Sequence, residues 1–236
     1  VNEETLVIIP TYNEAENIEE VVRATLKHEP HAHILVVDDN SKDQTQNIVR
    51  SLQKDLPGTL HMITRAGKLG LGTAYIAGFK WALARSYQTI IEMDADLSHD
   101  PAVVPQMLQT FKQGADVVIG SRYVPGGGTV NWGLGRKLIS RFGSLYARTI
   151  LGLRIRDLTG GYNAWSRRVL EKISLDQVKS EGYSFQIELK YRAHKAGFTL
   201  KEIPITFADR RAGQSKMSGK IVLEAMIRVW KLRFYP

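Results

Sequence analysis

The 236-residue chain has no cysteine, which excludes disulfides, thiolate nucleophiles and cysteine-built zinc sites. It also has no apolar stretch near the roughly 18 to 20 residues that span a bilayer, so no transmembrane segment is expected. Residues 1–6 lack the basic start and apolar centre of a secretory signal, so export is not expected. No tract is low in complexity and none repeats at solenoid spacing, which excludes fibrous and repeat architectures. Acidic residues are the minority, 24 against 32 Lys and Arg, leaving a formal charge of +8. That excess suits nucleic acid, anionic headgroups or phosphorylated small molecules. No nucleic-acid reading module accompanies it, so nucleic acid is not an expected partner. With 43% hydrophobic residues the chain can bury a large core, and no linker divides it, so residues 1–236 are expected to form one domain.

Short apolar runs at residues 6–9, 34–37, 60–63, 89–93 and 117–119 alternate with helical patterns. Asn13 with Glu16, and Ser41 with Gln44, match capping boxes and predict helix starts there. Asp100 followed by Pro101 predicts a third start. Further on, residues 136–153, 185–196 and 216–234 read as helices and 199–207 as a strand. This alternation predicts an α/β fold, a mostly parallel sheet with helices on both faces. Such sheets bind ligands beyond the carboxyl ends of their strands. Those ends carry Pro10-Thr-Tyr-Asn-Glu14, Asp38-Asp39-Asn40-Ser41 and Asp94-Ala-Asp96.

Asp94 and Asp96 are one residue apart in a loop and can reach one hard divalent cation, Mg²⁺ or Mn²⁺. Such an ion is commonly shared with substrate phosphates. A lone Asp-x-Asp is also an ordinary solvated loop; the strand-end position favours the ligand reading. A carboxylate at 38–39 can accept from a base or ribose, or cap the next helix.

Val7-Ile-Ile-Pro-Thr-Tyr-Asn-Glu14, Val36-Val-Asp-Asp-Asn-Ser41, Met93-Asp-Ala-Asp-Leu97 and Gly120-Ser-Arg-Tyr123 together resemble the inverting family-2 glycosyltransferases of GT-A (Rossmann-like) fold. Asp157-Leu-Thr-Gly-Gly-Tyr162, Asp209-Arg210 and Ser215-Lys216-Met217 narrow the resemblance to the dolichol-phosphate (polyprenol-phosphate) mannose synthases. The resemblance implies transfer of mannose from GDP-mannose to a dolichyl or other polyprenyl phosphate, with inversion. It implies nucleotide-sugar contacts at Pro10, Tyr12, Glu14, Val37, Asp39, Asp94, Ala95 and Asp96. It implies metal ligation by Asp94 and Asp96, with Ser98 where some members have a metal-binding Gln. Arg122, Arg210 and Lys216 match basic residues around the diphosphate, and Arg122 with Arg136 those around the acceptor phosphate. Asp96 and Arg122 are thus the expected catalytic pair. The same resemblance implies a peripheral place at the cytosolic face of a membrane and allows a membrane-anchoring partner subunit. A related enzyme using UDP-glucose, and a non-catalytic nucleotide-sugar binding subunit, are the competing readings; intact Asp94, Asp96, Arg122 and Lys216 argue against the second.

Other features read less sharply. Residues 68–72 lack Walker spacing and predict a glycine-rich helix entry. His28, His31 and His33 fit a surface turn better than a metal site, and His99 a capping or packing role as well as a substrate contact. Apolar and basic residues interleave through 136–156 and 220–233, which fits amphipathic acceptor-side helices on an anionic membrane or core helices with a solvated basic face. Glu188 is expected to anchor its helix or an arginine rather than act as a base.

Overall fold

The computed structural model of the chain describes residues 5–178, 180–208 and 219–234, with side chains in the last stretch from 226. Strand β1 (Thr5–Thr11) is flanked by β2 (His33–Asp38) and then β3 (Leu60–Thr64) on one side and by β4 (Thr89–Glu92) on the other, all parallel. Beyond β4 the seven-stranded sheet continues through β7 (Asn163–Ser166), β5 (Val117–Ser121) and β8 (Leu200–Pro204). Only β7 runs antiparallel to its neighbours; β5 and β8 are parallel. A second, two-stranded sheet pairs β6 (Gly128–Val130) with β9 (Thr206–Ala208).

The continuous apolar strands follow from burial on both faces. Along β1, Leu6 and Ile8 join one core cluster with Phe79 and Trp165, while Val7 and Ile9 join the other with Ile18, Val22 and Met107. That is the two-residue alternation of a strand covered twice. The helices α1 (Ile18–His28), α2 (Thr45–Asp55) and α4 (Val104–Lys112) contribute to the second cluster, and α3 (Leu71–Leu83) and α7 (Gly182–Lys195) to the first. Also present are α5 (Leu134–Leu151), the short α6 (Arg167–Lys172) and α8 (Gly219–Phe234).

α3 approaches β1 closely through Gly78, where an added Cβ would lie 2.7 Å from the Ile8 side chain. Gly78→Val should therefore cost roughly 2 to 3 kcal/mol by overpacking. A urea denaturation midpoint equal to wild type would show that the helix can retreat.

Two predicted helix starts move. α1 begins at Ile18, because the Glu14 carbonyl takes the Asn17 and Ile18 amides and Asn13 adopts φ 59°. α2 begins at Thr45, whose amide is taken by the Asp43 carboxylate rather than by Ser41. Asn13 and Ser41 instead join their two loops: the Asn13 amide donates to Ser41 Oγ (2.9 Å) and the Lys42 amide to Asn13 Oδ1 (2.8 Å). The third start opens a 3-10 turn, Pro101–Val103, that leads into α4, with Asp100 accepting the Ala102 amide at 2.9 Å. The strand expected over 199–207 divides into β8 and β9 at Ile205, whose main chain meets Ser121 and Gly128. β7 was not legible in the sequence; its buried Asn163 breaks the apolar pattern.

Candidate active site

Strand order reverses between β1 and β4, so a crevice is expected where their carboxyl ends diverge. The loops from β1, β2 and β4 meet there. Asp38 is fully buried and accepts from the Thr11 hydroxyl (2.9 Å), the Ser41 amide (2.9 Å) and hydroxyl (2.6 Å) and Gln46 (2.7 Å). It is a fixed knot between loops. Asp39 faces the glycine-rich entry of α3, taking the Leu69 amide at 3.1 Å and pairing with Arg65 at 3.1 Å. Tyr12 is half-buried with the Lys68 ammonium 4.1 Å from its ring centroid. Glu14 is turned toward Asn17, and its amide donates to Thr45. Pro10 is half-buried, Ala95 is buried, and the Val37 side chain packs wholly in the core rather than lining the crevice.

The acidic loop is held from several sides. The Tyr75 hydroxyl donates to Asp94 at 3.0 Å, and the Asp94 amide donates to His99 Nδ1 at 3.0 Å. Burial, then the Asp94 charge, pushes the Tyr75 phenol well above its ordinary value, so it stays a donor. His99 is buried and stacks on Tyr162 at 4.7 Å. Asp96 accepts the Ser98 amide at 3.1 Å, beside Leu97 at φ 60°. Ser98 is 2% exposed, and its hydroxyl has no hydrogen-bond partner among the described residues.

These residues fit a hard divalent ion. Two carboxylates and an orphaned buried hydroxyl are all oxygen donors. Among the described residues no three His, Cys, Asp or Glu gather into a closed cage. The set therefore suits an ion that completes its shell with substrate phosphates. The histidines at 28, 31 and 33 form no such cage either; His33 meets the Tyr87 hydroxyl at 2.8 Å.

Behind the loop, Glu92 is fully buried and accepts from Asn163 (2.8 Å), Trp165 (3.1 Å) and Gln186 (3.2 Å). Burial pushes its carboxyl up to about 7 against those three donors. Lys190, also fully buried, donates to the carbonyls of Asp157 (3.3 Å), Leu158 (3.2 Å) and Gly160 (2.7 Å). Burial draws its ammonium down to about 8, opposed by Asp157 and Glu92.

One edge of the Arg122 guanidinium is committed to a carboxylate. Its Nε and Nη2 both donate to Asp157 at 2.7 Å, and Nη2 also to Thr159 at 3.0 Å. A planar guanidinium committed in this way cannot offer the same edge to a phosphate. Burial alone would raise the Asp157 carboxyl, but the Arg122 charge and hydrogen bonds outweigh it and hold the carboxyl below its ordinary value. Arg136 stacks 4.0 Å above Trp132, whose ring lies 5.3 Å from the Arg122 guanidinium. Trp132 thus brings the two expected acceptor-side arginines together. Arg210 and Lys216, with Asp209, Ser215 and Met217, lie outside the described residues. Sequence reading missed Trp132, Glu92 and Lys190, none of which sits in a spacing that signals chemistry.

Glu188 is an anchor, as expected: it accepts from the Ser180 amide and hydroxyl and from Arg192. The glycine-rich entry also holds, with Gly70 at φ 99° preceding α3. On α5 the buried residues are Ser144, Ala147 and, at its end, Leu151. Large apolar side chains in its first three turns face outward: Leu134 is 80% exposed, Leu138 68% and Phe142 59%, with Leu145 beside them. α8 packs on α5 and exposes Ile227, Trp230 and Phe234. Among the described residues, no helix is long and apolar enough to cross a membrane.

Known proteins match this arrangement. Polyprenol monophosphomannose synthase of Mycolicibacterium smegmatis is 49% identical over 97% of this chain and 87% of its own length. Undecaprenyl-phosphate mannosyltransferase of Micrococcus luteus is 46% identical over 95% of this chain and 91% of its own. Among solved structures, glucosyl-3-phosphoglycerate synthase of Mycobacterium tuberculosis, in complex with Mn²⁺, UDP and phosphoglyceric acid, aligns with TM-score 0.73 at 18% identity. That alignment covers all of this chain and 80% of the other, and it bears on the fold alone. The model of the family described as glycosyl transferase family 2 matches residues 6–174. With its crevice, acidic loop and sheet order as described, this chain belongs to glycosyl transferase family 2 and is a glycosyltransferase.

Proposed function

We propose that the chain transfers mannose from GDP-mannose to a polyprenyl phosphate, dolichyl phosphate included, with inversion at the anomeric carbon. The observation that carries this is the meeting at one sheet edge of Asp94, Asp96 and the orphaned Ser98 hydroxyl. The names and high identity of the two curated relatives support the sugar and the lipid class. The nucleoside diphosphate is read to lie along Pro10, Tyr12, Glu14, Asp39 and Ala95, with Arg210 and Lys216 beside its phosphates. Asp94, Asp96 and Ser98 would hold Mg²⁺ or Mn²⁺, which when bound supplies Lewis-acid stabilisation of the departing diphosphate.

The acceptor needs no protein base. A phosphate monoester has a second pKa near ~6, so at neutral pH it is largely a dianion. One of its oxygens forms the new bond to the anomeric carbon as the bond to the diphosphate breaks. His99 and Glu188 are committed to packing and to ion pairs, which agrees with that economy. Arg122 is proposed to meet the acceptor with Nη1, the guanidinium nitrogen that has no partner among the described residues, while Asp157 fixes its direction. Arg136, stacked on Trp132, supplies the second cation. The outward apolar stripe of α5 supports placement on a membrane surface, read as the cytosolic face.

The test is transfer of labelled sugar to a short polyprenyl phosphate, with Mg²⁺, with Mn²⁺ and with chelator. Labelled lipid from GDP-mannose, lost on chelation, is the expected result. Transfer from UDP-glucose alone would replace the donor. Nucleotide-sugar binding without transfer to any lipid phosphate would overturn the reaction.

A further inference from the structure

α5 carries a second cationic feature that sugar transfer does not use. An open cavity of about 360 Å³ is lined by Tyr123, Arg141, Leu145, Arg148 and Arg156. Arg141, Leu145 and Arg148 follow at spacings of four and three, so they share one flank of the helix. Arg156 joins the lining from beyond the helix, after the left-handed turn at Gly152 (φ 69°), with its amide fixed on Glu202 at 2.8 Å. No Asp or Glu lines the cavity, and none of the three arginines is ion-paired among the described residues. Arg122, by contrast, is neutralised by Asp157. The Tyr123 ring stands between the two regions, with the Arg122 guanidinium 5.2 Å from its centroid and its hydroxyl tied to Ser140 at 2.7 Å.

Three guanidinium groups without counter-charge repel one another and raise the local potential in a cleft. Their geometry suits phosphate oxygens better than other anions. The apolar stripe adds a further demand on the occupant. Leu145 belongs both to the cavity wall and to the exposed stripe of Leu134, Leu138 and Phe142. A free phosphate would satisfy the arginines and leave the stripe wet. A phosphate carried on acyl chains satisfies both at once.

We propose that this cavity binds the phosphodiester headgroup of an anionic phospholipid, at a site separate from that of the acceptor phosphate, and so seats α5 on the bilayer. The inference rests on the membrane placement proposed above and adds headgroup selectivity to it.

The experiment is vesicle co-sedimentation of the full chain at fixed ionic strength, on phosphatidylcholine with and without phosphatidylglycerol. Two double variants remove equal charge: Arg148→Gln with Arg156→Gln, and, on α1 and α2, Lys27→Gln with Lys54→Gln. The arginine pair should lose on the order of 30-fold in affinity for phosphatidylglycerol vesicles, from about 1 kcal/mol per basic residue. The lysine pair should lose less than about threefold, since its charges lie outside the cavity. Both variants should melt like wild type, and both should keep the wild-type KM for a short acceptor in neutral detergent.

Equal losses in the two pairs would overturn the cavity in favour of diffuse charge. A raised acceptor KM in the arginine pair would make the cavity part of the acceptor site. Displacement by inorganic phosphate as effective as by vesicles would reassign it to a free anion. Wild-type binding to neutral vesicles without preference would remove the headgroup inference and leave the membrane placement standing. Binding to neither vesicle would remove both.

Discussion

Asp96→Ala is expected to lower mannosyl transfer by at least about a thousandfold, a loss of some 4 kcal/mol in transition-state stabilisation. The fold should survive it. Asp96 sits in a loop at 9% exposure and accepts the Ser98 amide at 3.1 Å. Asp96→Asn preserves an acceptor for that amide while removing the charge, so it separates loop shape from ion binding. If ligation is the role, both variants fail in transfer and both lose Mn²⁺ binding measured directly by titration in the presence of GDP. If loop shape is the role, the asparagine variant recovers. Retention of more than a tenth of wild-type turnover by the alanine variant would remove Asp96 from the reaction.

The second large effect is on stability. Asp157 is fully buried and accepts from the Arg122 amide, its guanidinium twice, and the Gly160 amide. Asp157→Ala strands the Arg122 charge in the interior. Breaking a buried pair from one side costs about 3 to 5 kcal/mol. For a chain of this size the melting temperature should fall on the order of 10 °C. The pH dependence has a definite sign. The folded carboxyl is held below the ordinary 3.8, so the stability it contributes is complete above that value. It is lost as pH falls below 3.8 through the depressed folded value. Urea titrations of wild type and Asp157→Asn should therefore run at a constant separation from neutral pH down to the ordinary carboxyl range and converge below it. Convergence already near neutral pH would mean that Arg122 does not hold the group down.

The strands that carry the crevice were legible because each is covered on two faces and reads as an unbroken apolar run. Asp94 and Asp96 were legible because they close such a run. The helix starts at Asn13 and Ser41 were misread for one reason: their side chains have long-range partners, and a capping pattern reports only local ones. Arg122 is legible through the resemblance, but its pairing with Asp157, 35 residues away, is not, because the two share no periodicity. The resemblance sets Val37 at the nucleotide; strand alternation turns its side chain into the core, which leaves its main chain for that role. Lys190 and Glu92 are not legible because a charge normally argues against burial, and both are fully buried. β7 was missed because Asn163 looks like a turn residue and is in fact a core hydrogen-bond hub.

The knot at Asp38 has a thermodynamic consequence. Thr11, Ser41 and Gln46 all converge on one carboxylate, and Asn13 closes the same circuit from the first loop. The two loops proposed to face the donor are thus ordered before any donor arrives. Little conformational entropy remains for the ligand to remove on this side, so its affinity is spent on contacts rather than on folding a loop around itself. The Asn13 and Ser41 amides should exchange slowly with deuterated solvent in the empty enzyme and change little when nucleotide is added.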